Sequence, residues 1–255
     1  MIFNSHHQPN IIVPITGTTA QMLLEEARAA EAAGADVIEW RIDFLIGTRE
    51  MLSFVEIGKE VIEPLLKATT LPLLFTLRTA EQGGQVKLRS GRYRLLFAEL
   101  LDTLLQLGGV DPQRIGIDLE YSFPQAAALA GRARAAGYTV VISLHDWKET
   151  PDNEILKLLF LEMLKIPDAI PKIAVTAHSE QDANRLLEVT KEVVAESARP
   201  VIAVAMGEAG KNTRLFGWQA GSIATFAHLN GESAPGQPSL AELQQALAAQ
   251  KKEIE

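Results

Sequence analysis

The chain has 255 residues, 47% apolar and 22% charged, and a formal net charge of -8 from 24 basic and 32 acidic side chains. That balance excludes disorder as the dominant state, and the acidic excess disfavours nucleic acid and anionic membranes as partners. Cysteine is absent, which removes disulfides, thiolate nucleophiles, iron–sulfur clusters and thiolate zinc sites together.

The opening MIFNSHHQPN has no basic segment followed by an apolar one, so it does not read as a signal peptide. The most apolar stretches, such as Leu71–Leu77, are too short to span a bilayer. The expected location is the cytoplasm. The histidines, His6, His7, His145, His178 and His228, form no HxxxH or HExxH pattern, so no metal site is expected.

Taken in chain order, short apolar runs alternate with stretches of helical periodicity. Strands are expected at Ile11–Ile15, Val37–Ile42, Leu73–Leu77, Ile115–Leu119, Thr139–Leu144, Lys172–Thr176, Val201–Ala205 and Ser222–Phe226. Helices are expected near Thr19–Ala33, Met51–Ala68, Arg92–Leu107, Pro124–Ala136, Pro151–Leu164, Glu180–Ala195, Lys211–Gly217 and Leu240–Lys251. Thr19 stands where a helix begins, Pro124 suits a first turn, and Gly34, Gly108 and Gly137 lie just past helical runs.

Eight strand–helix units are the count of an α/β (β/α)8 TIM barrel, read as a single catalytic domain over 1–255 with a short N-terminal segment 1–10. A doubly wound sheet is the alternative, but neither GxGxxG nor GxxxxGK[ST] occurs. The one linker-like stretch, Gly231–Ser239, falls between the last strand and the last helix, where a barrel places a loop of its active face.

Barrel chemistry collects at the carboxyl ends of strands. On the second strand Glu39, Arg41 and Asp43 alternate with apolar residues, so period-two geometry puts all three on one side. Buried there, they either pair among themselves or meet a polar ligand. The third strand ends in Arg78 and runs into Glu81, Gln82, Gly83 and Gly84. Arg78 either bridges to a helix or joins Arg41 in a cationic floor suited to a carboxylate.

The fifth strand ends in Ser143, Leu144, His145 and Asp146. An imidazole there can move protons near neutral pH, and Asp146 can orient it, although a lone histidine is as readily structural. Lys172 shares a strand face with Ala174 and Thr176. Burial strips an ammonium of hydration and favours the free amine, which attacks a ketone to give a Schiff base. A lysine snorkelling from a strand start is the plainer reading. Arg214 follows a glycine-containing loop, and Ala234–Gln237 (APGQ) reads as a lid. Small, oxygen-rich anionic ketones fit this set.

The chain resembles the type I 3-dehydroquinate dehydratase family from Ile12 to about Ser239. The resemblance rests on IEWRID at Ile38–Asp43, RTAEQGG at Arg78–Gly84, SLHDW at Ser143–Trp147 and PKIAV at Pro171–Val175. It continues in MG at Met206–Gly207, TR at Thr213–Arg214, GSIATF at Gly221–Phe226 and APGQPS at Ala234–Ser239.

The resemblance implies a hydro-lyase of the shikimate pathway that dehydrates 3-dehydroquinate without metal or diffusible cofactor. It implies Lys172 as the Schiff-base lysine and His145 as the proton shuttle. Arg214 resembles the clamp of the substrate carboxylate, and Glu39, Arg41, Arg78, Ser222 and Gln237 match substrate-pocket positions. Asp43, Asp146, Glu81 and Gln82 are expected in support. Relatives are commonly homodimers.

Two departures stand out. Gln82 occupies the position where the family usually has glutamate, and Pro14 replaces a usual serine. The short N-terminal segment is expected to cap the barrel bottom only partly. A class I aldolase, a catalytically silent binding barrel and a scaffold protein are the competing readings.

Overall fold

The structure, a computed structural model, describes residues 1–4, 8–48, 54–232 and 234–254, with side chains as far as residue 250. The chain runs β1 (Asn10–Ile15), α1 (Ala20–Ala32), β2 (Val37–Arg41), α2 (Ile42–Ile46), α3 (Phe54–Ile57), α4 (Glu63–Ala68), β3 (Leu73–Thr76) and α5 (Ser90–Gln106). It continues with β4 (Ile115–Glu120), α6 (Ala126–Ala135), β5 (Thr139–Asp146), α7 (Asn153–Leu164), β6 (Ala169–Thr176), α8 (Glu180–Ser197), β7 (Ile202–Met206), α9 (Lys211–Phe216), β8 (Ala224–Phe226) and α10 (Leu240–Ile254). The strands share one sheet in the order β7-β6-β5-β4-β3-β2-β1-β8. All eight expected strands are present.

Contacts divide the chain into two compact units, Met1–Ile2 with Ile15–Ile142 and Phe3–Pro14 with Ser143–Glu255. The divisions fall between Ile2 and Phe3, inside β1 and inside β5. In the first unit β2, β3 and β4 pair in parallel, with Arg41 beside Thr76 and Thr76 beside Asp118. Every residue of these three strands is buried, as parallel strands covered on both faces should be. Trp40 meets Phe75 edge-on at 5.8 Å between ring centroids. Thr19 caps α1 by accepting from the Met22 amide.

In the second unit β6 pairs with β7 and β1 with β8, again in parallel. A parallel bridge between Val201 and Ser222 brings the chain before β8 to β7, with the Ile223 amide donating to the Val201 carbonyl at 2.9 Å. A capping box of Ser179 and Asp182 starts α8.

The structure differs from the sequence reading at several points. The second strand stops at Arg41, and Asp43 lies in α2, so strand alternation does not place it. The helix expected over Met51–Ala68 is broken by a π-helical turn at Gly58–Ile62, which a 3.6-residue period does not register, and its first three residues lie outside the described ones. Pro124 sits in a turn two residues before α6 instead of in its first turn. Gly34, Gly108 and Gly137 all have positive φ, as expected past helix ends. The N-terminal segment contributes buried Ile2 and Phe3, and the Ile2 amide donates to the Thr139 hydroxyl at 2.9 Å. No helix among the described residues is long and apolar enough to cross a membrane.

Candidate active site

In the first unit, the carboxyl ends of β2, β3 and β4 carry a buried network of charges. Arg41 donates from Nε and Nη2 to the two carboxylate oxygens of Asp43 at 2.9 and 2.8 Å. The same carboxylate accepts from the backbone amides of Arg78 and Gln85, at 3.3 and 3.1 Å. Asp43 therefore fixes Arg41 and ties the loop after β3 to the end of β2. Arg41 also lies over the Phe44 ring, 5.1 Å from its centroid. The Glu39 carboxylate accepts from the Thr76 hydroxyl at 2.9 Å.

Arg78 is engaged as fully. Its Nη2 donates to Asp118 at 2.8 Å and its Nη1 to Glu120 at 3.4 Å. Glu120 also accepts from the Thr79 amide and hydroxyl, both at 2.8 Å. Burial works against the Arg78 charge, but Asp118, Glu120 and Glu39 together hold the guanidinium firmly protonated, above its ordinary range. Burial raises the Glu120 carboxyl above its usual value, partly offset by Arg78 and the Thr79 bonds. The expected cationic floor is thus an ion-pair network in which Arg41 and Arg78 face the carboxylates of Asp43, Asp118 and Glu120. Asp118 and Glu120 lie outside the residues that the sequence singles out, although their alternation at the end of IGIDLE is the available signal.

Beyond Arg78 the chain makes a short 3-10 turn over Ala80–Gln82. Gln82 is buried and Glu81 exposed, so the glutamine faces inward. The paired glycines are needed here. Gly83 has φ +86°, and a Cβ on Gly84 would sit 1.9 Å from the Arg78 carbonyl oxygen.

In the second unit, Lys172 on β6 is only 4% exposed, and its Nζ stands 4.4 Å from the centroid of the Phe226 ring on β8. The ring face favours a cation where burial disfavours it. His145, at the penultimate position of β5, is partly exposed. The Asp146 carboxylate accepts from the amides of Lys148 and Glu149, at 2.8 and 3.1 Å, and so braces the loop after His145.

Arg214 on α9 is 2% exposed, yet its Nε has no hydrogen-bond acceptor among the described residues. Burial lowers its pKa to about 10, with Glu232 the opposing charge. A buried cation with so little compensation has the capacity to receive an anion. The Ser222 hydroxyl, by contrast, accepts from the Ala203 amide and donates to the Ala224 carbonyl, both at 3.1 Å. It stitches the β7–β8 junction, which leaves it little capacity for a ligand.

The lid motif and the MG motif meet. The Gly207 amide donates to the Pro235 carbonyl at 3.1 Å. Gly236, at φ +73°, packs so closely that a Cβ would lie 2.4 Å from the Gly207 carbonyl oxygen. Buried Gln237 follows, its backbone N–H donating to the Ala234 carbonyl at 3.3 Å. Among the described residues no cluster of His, Asp and Glu could hold a metal ion.

The sequence model of the family described as type I 3-dehydroquinase matches residues 11–254. A 3-dehydroquinate dehydratase of Klebsiella pneumoniae subsp. pneumoniae is 37% identical over 238 residues, covering 93% of this chain and 91% of the relative. The Listeria monocytogenes enzyme of the same name is 34% identical over 239 residues, with 94% and 91% covered. Among solved structures, the 3-dehydroquinate dehydratase of Geobacillus kaustophilus superimposes with a TM-score of 0.82 at 29% identity, covering 96% of this chain and 92% of that one. The type I enzyme of Clostridium difficile, solved with covalent modified comenic acid, gives a TM-score of 0.81 at 34% identity, with 96% and 93% covered. The (β/α)8 barrel of these enzymes is the fold of this chain.

Proposed function

Because the chain belongs to the type I 3-dehydroquinase family, we propose that Lys172 is its Schiff-base nucleophile and His145 its acid–base group. The activity is the dehydration of 3-dehydroquinate, a hydro-lyase step of the shikimate pathway. The observation that carries the mechanism is the burial of Lys172 over Phe226. Such an amine is desolvated yet held in one place.

The Lys172 amine adds to the substrate ketone and water leaves, giving an iminium. His145 removes a proton from the carbon next to the iminium carbon, and the released electron pair moves onto the nitrogen as an enamine. Collapse of the enamine expels the β-hydroxyl, which departs as water with a proton from His145. Hydrolysis of the conjugated iminium then frees the enone and restores Lys172. The iminium stabilises the charge that develops when the proton leaves, so the binding energy acts on the transition state.

Arg214 receives the substrate carboxylate in this reading, supported by its burial and depressed pKa. Gln237, Glu39, Arg41 and Arg78 serve the remaining polar groups, supported by the family resemblance and by their positions at strand ends and in the lid. Asp43 and Asp146 hold their neighbours in place, and Gln82 replaces a carboxylate by a neutral hydrogen-bonding group. Ser222 has the weakest support, because its hydroxyl is bonded to backbone. A homodimer and a cytoplasmic location rest on the family resemblance and the acidic, cysteine-free composition. A single catalytic domain over 1–255 is supported by the interleaving of the two contact units along the chain.

A progress curve with 3-dehydroquinate, following the ultraviolet absorbance of the conjugated product, tests the reading. Lys172→Ala should lower turnover at least about 1,000-fold. Borohydride added during turnover should reduce the iminium and fix the substrate on Lys172 as a mass increase. Native-like turnover in the variant would overturn the assignment of Lys172.

A further inference from the structure

The loop that follows His145 is fastened at both ends to one residue of the neighbouring strand. Thr176, the last residue of β6, donates from its hydroxyl to the Asp146 carbonyl at 3.1 Å. The Thr150 hydroxyl donates back to the Thr176 carbonyl at 2.8 Å. Between these points the Asp146 carboxylate closes the turn on the Lys148 and Glu149 amides. Outside them, Arg185 of α8 donates to the Thr150 and Pro151 carbonyls, at 3.0 and 3.3 Å.

Thr176 stands four residues after Lys172, on the same face of β6. Asp146 follows His145 directly. A single β-branched side chain, stiff about its first torsion, therefore couples the strand of the lysine to the carbonyl of the residue that follows the histidine. We propose that these two hydroxyl bonds, from Thr176 to the Asp146 carbonyl and from Thr150 to the Thr176 carbonyl, form a positioning device for proton transfer, holding His145 in register with the strand that carries Lys172. This rests on the reading of Lys172 and His145 as the reacting pair.

The chemistry requires such a clamp. His145 serves several steps, each with a proton at a different atom, and each transfer needs a heavy-atom separation of about 2.6–3.2 Å. A displacement of about 1 Å at a reacting group can cost about 100-fold. The register of the backbone that carries the imidazole contributes to that separation.

The test uses Thr176→Val, which keeps the shape and removes the hydroxyl, beside Thr176→Ser, which keeps the hydroxyl. Thr176→Val should lower kcat about tenfold with KM within about twofold, and Thr176→Ser should recover at least about half of the native rate. Thermal unfolding midpoints identify any variant that fails to fold. In that case Thr150→Val and Thr150→Ser read the same clamp from its other end, with the same pattern expected.

A folded Val variant with native kcat, or a Ser variant as slow as Val, overturns the proposal. His145→Ala, run in parallel, separates the two possible failures. If it keeps native turnover, the assignment of His145 fails and the positioning role with it. If it is inactive while the Val variants are native-like, the positioning role alone is wrong.

Discussion

Arg78 and Asp118 form a salt bridge of 2.8 Å in which neither side chain is more than 3% exposed. The pair joins β4 to the end of β3 and aims the guanidinium, while Glu120 supplies a second, longer contact at 3.4 Å. Charges so deeply buried are tolerable only together. Each removed from water alone would cost several kcal/mol, and the gain from pairing mainly offsets that cost.

Removing one partner should therefore cost more than the pair contributes. Asp118→Ala removes the 2.8 Å salt bridge of Arg78 and is expected to lower stability by about 2–3 kcal/mol. Urea unfolding at neutral pH measures this as a fall in the midpoint with little change in slope. A loss below about 0.5 kcal/mol would mean that the network relaxes around the gap, and that Arg78 does not depend on Asp118 for its position.

This network also marks where sequence reading stopped. Arg41, Arg78, His145 and Lys172 were legible because each ends or starts an apolar run in a chain of eight strand–helix units. Strand periodicity reports which side chains share a face, whereas pairing depends on neighbours that no local pattern encodes. Asp118 is adjacent to Thr76 only through the β3–β4 register, so the carboxylates that compensate Arg78 stayed hidden. The backbone partners of the Ser222 hydroxyl are hidden for the same reason. Its partners, Ala203 and Ala224, belong to the β7–β8 junction, which exists only once the sheet has formed. Asp43 reached Arg41 by a different route from the expected one, through the turn into α2 instead of along a strand.

Arg214 presents the opposite electrostatic case to Arg78. Its folded-state pKa of about 10 lies below the ordinary guanidinium range, so the folded protein binds this proton less tightly than the unfolded chain does. The penalty is present in full below about pH 10 and falls as pH rises from there toward the ordinary guanidinium range. Arg214→Met should consequently abolish carboxylate binding and raise the thermal midpoint of the ligand-free protein by a few degrees, roughly 2–4 °C per kcal/mol relieved. The gain should be constant between about pH 6 and 9, where the arginine stays charged. A variant less stable than the parent throughout that range would show that the Arg214 charge is compensated in the folded protein.

Gln82 offers a gain-of-function comparison. It is buried at the turn after Arg78, where the family usually has a glutamate, while the neighbouring Glu81 is exposed. An amide can donate and accept hydrogen bonds, but it can neither carry charge nor exchange a proton with an imidazole. The family resemblance implies that a glutamate here works with the histidine, so on the role proposed for His145 Gln82→Glu should raise kcat, by up to about tenfold. Stability should fall at neutral pH, since burial disfavours the new charge and raises the carboxyl above its ordinary value. A group with a raised folded-state pKa loses stability as pH climbs through the unfolded and then the folded value, so the variant should recover on acidification toward pH ~5. Progress curves and thermal midpoints taken together across pH ~5–8 separate the two effects. An unchanged kcat with the expected loss of stability would show that the glutamine already meets the demands of this position.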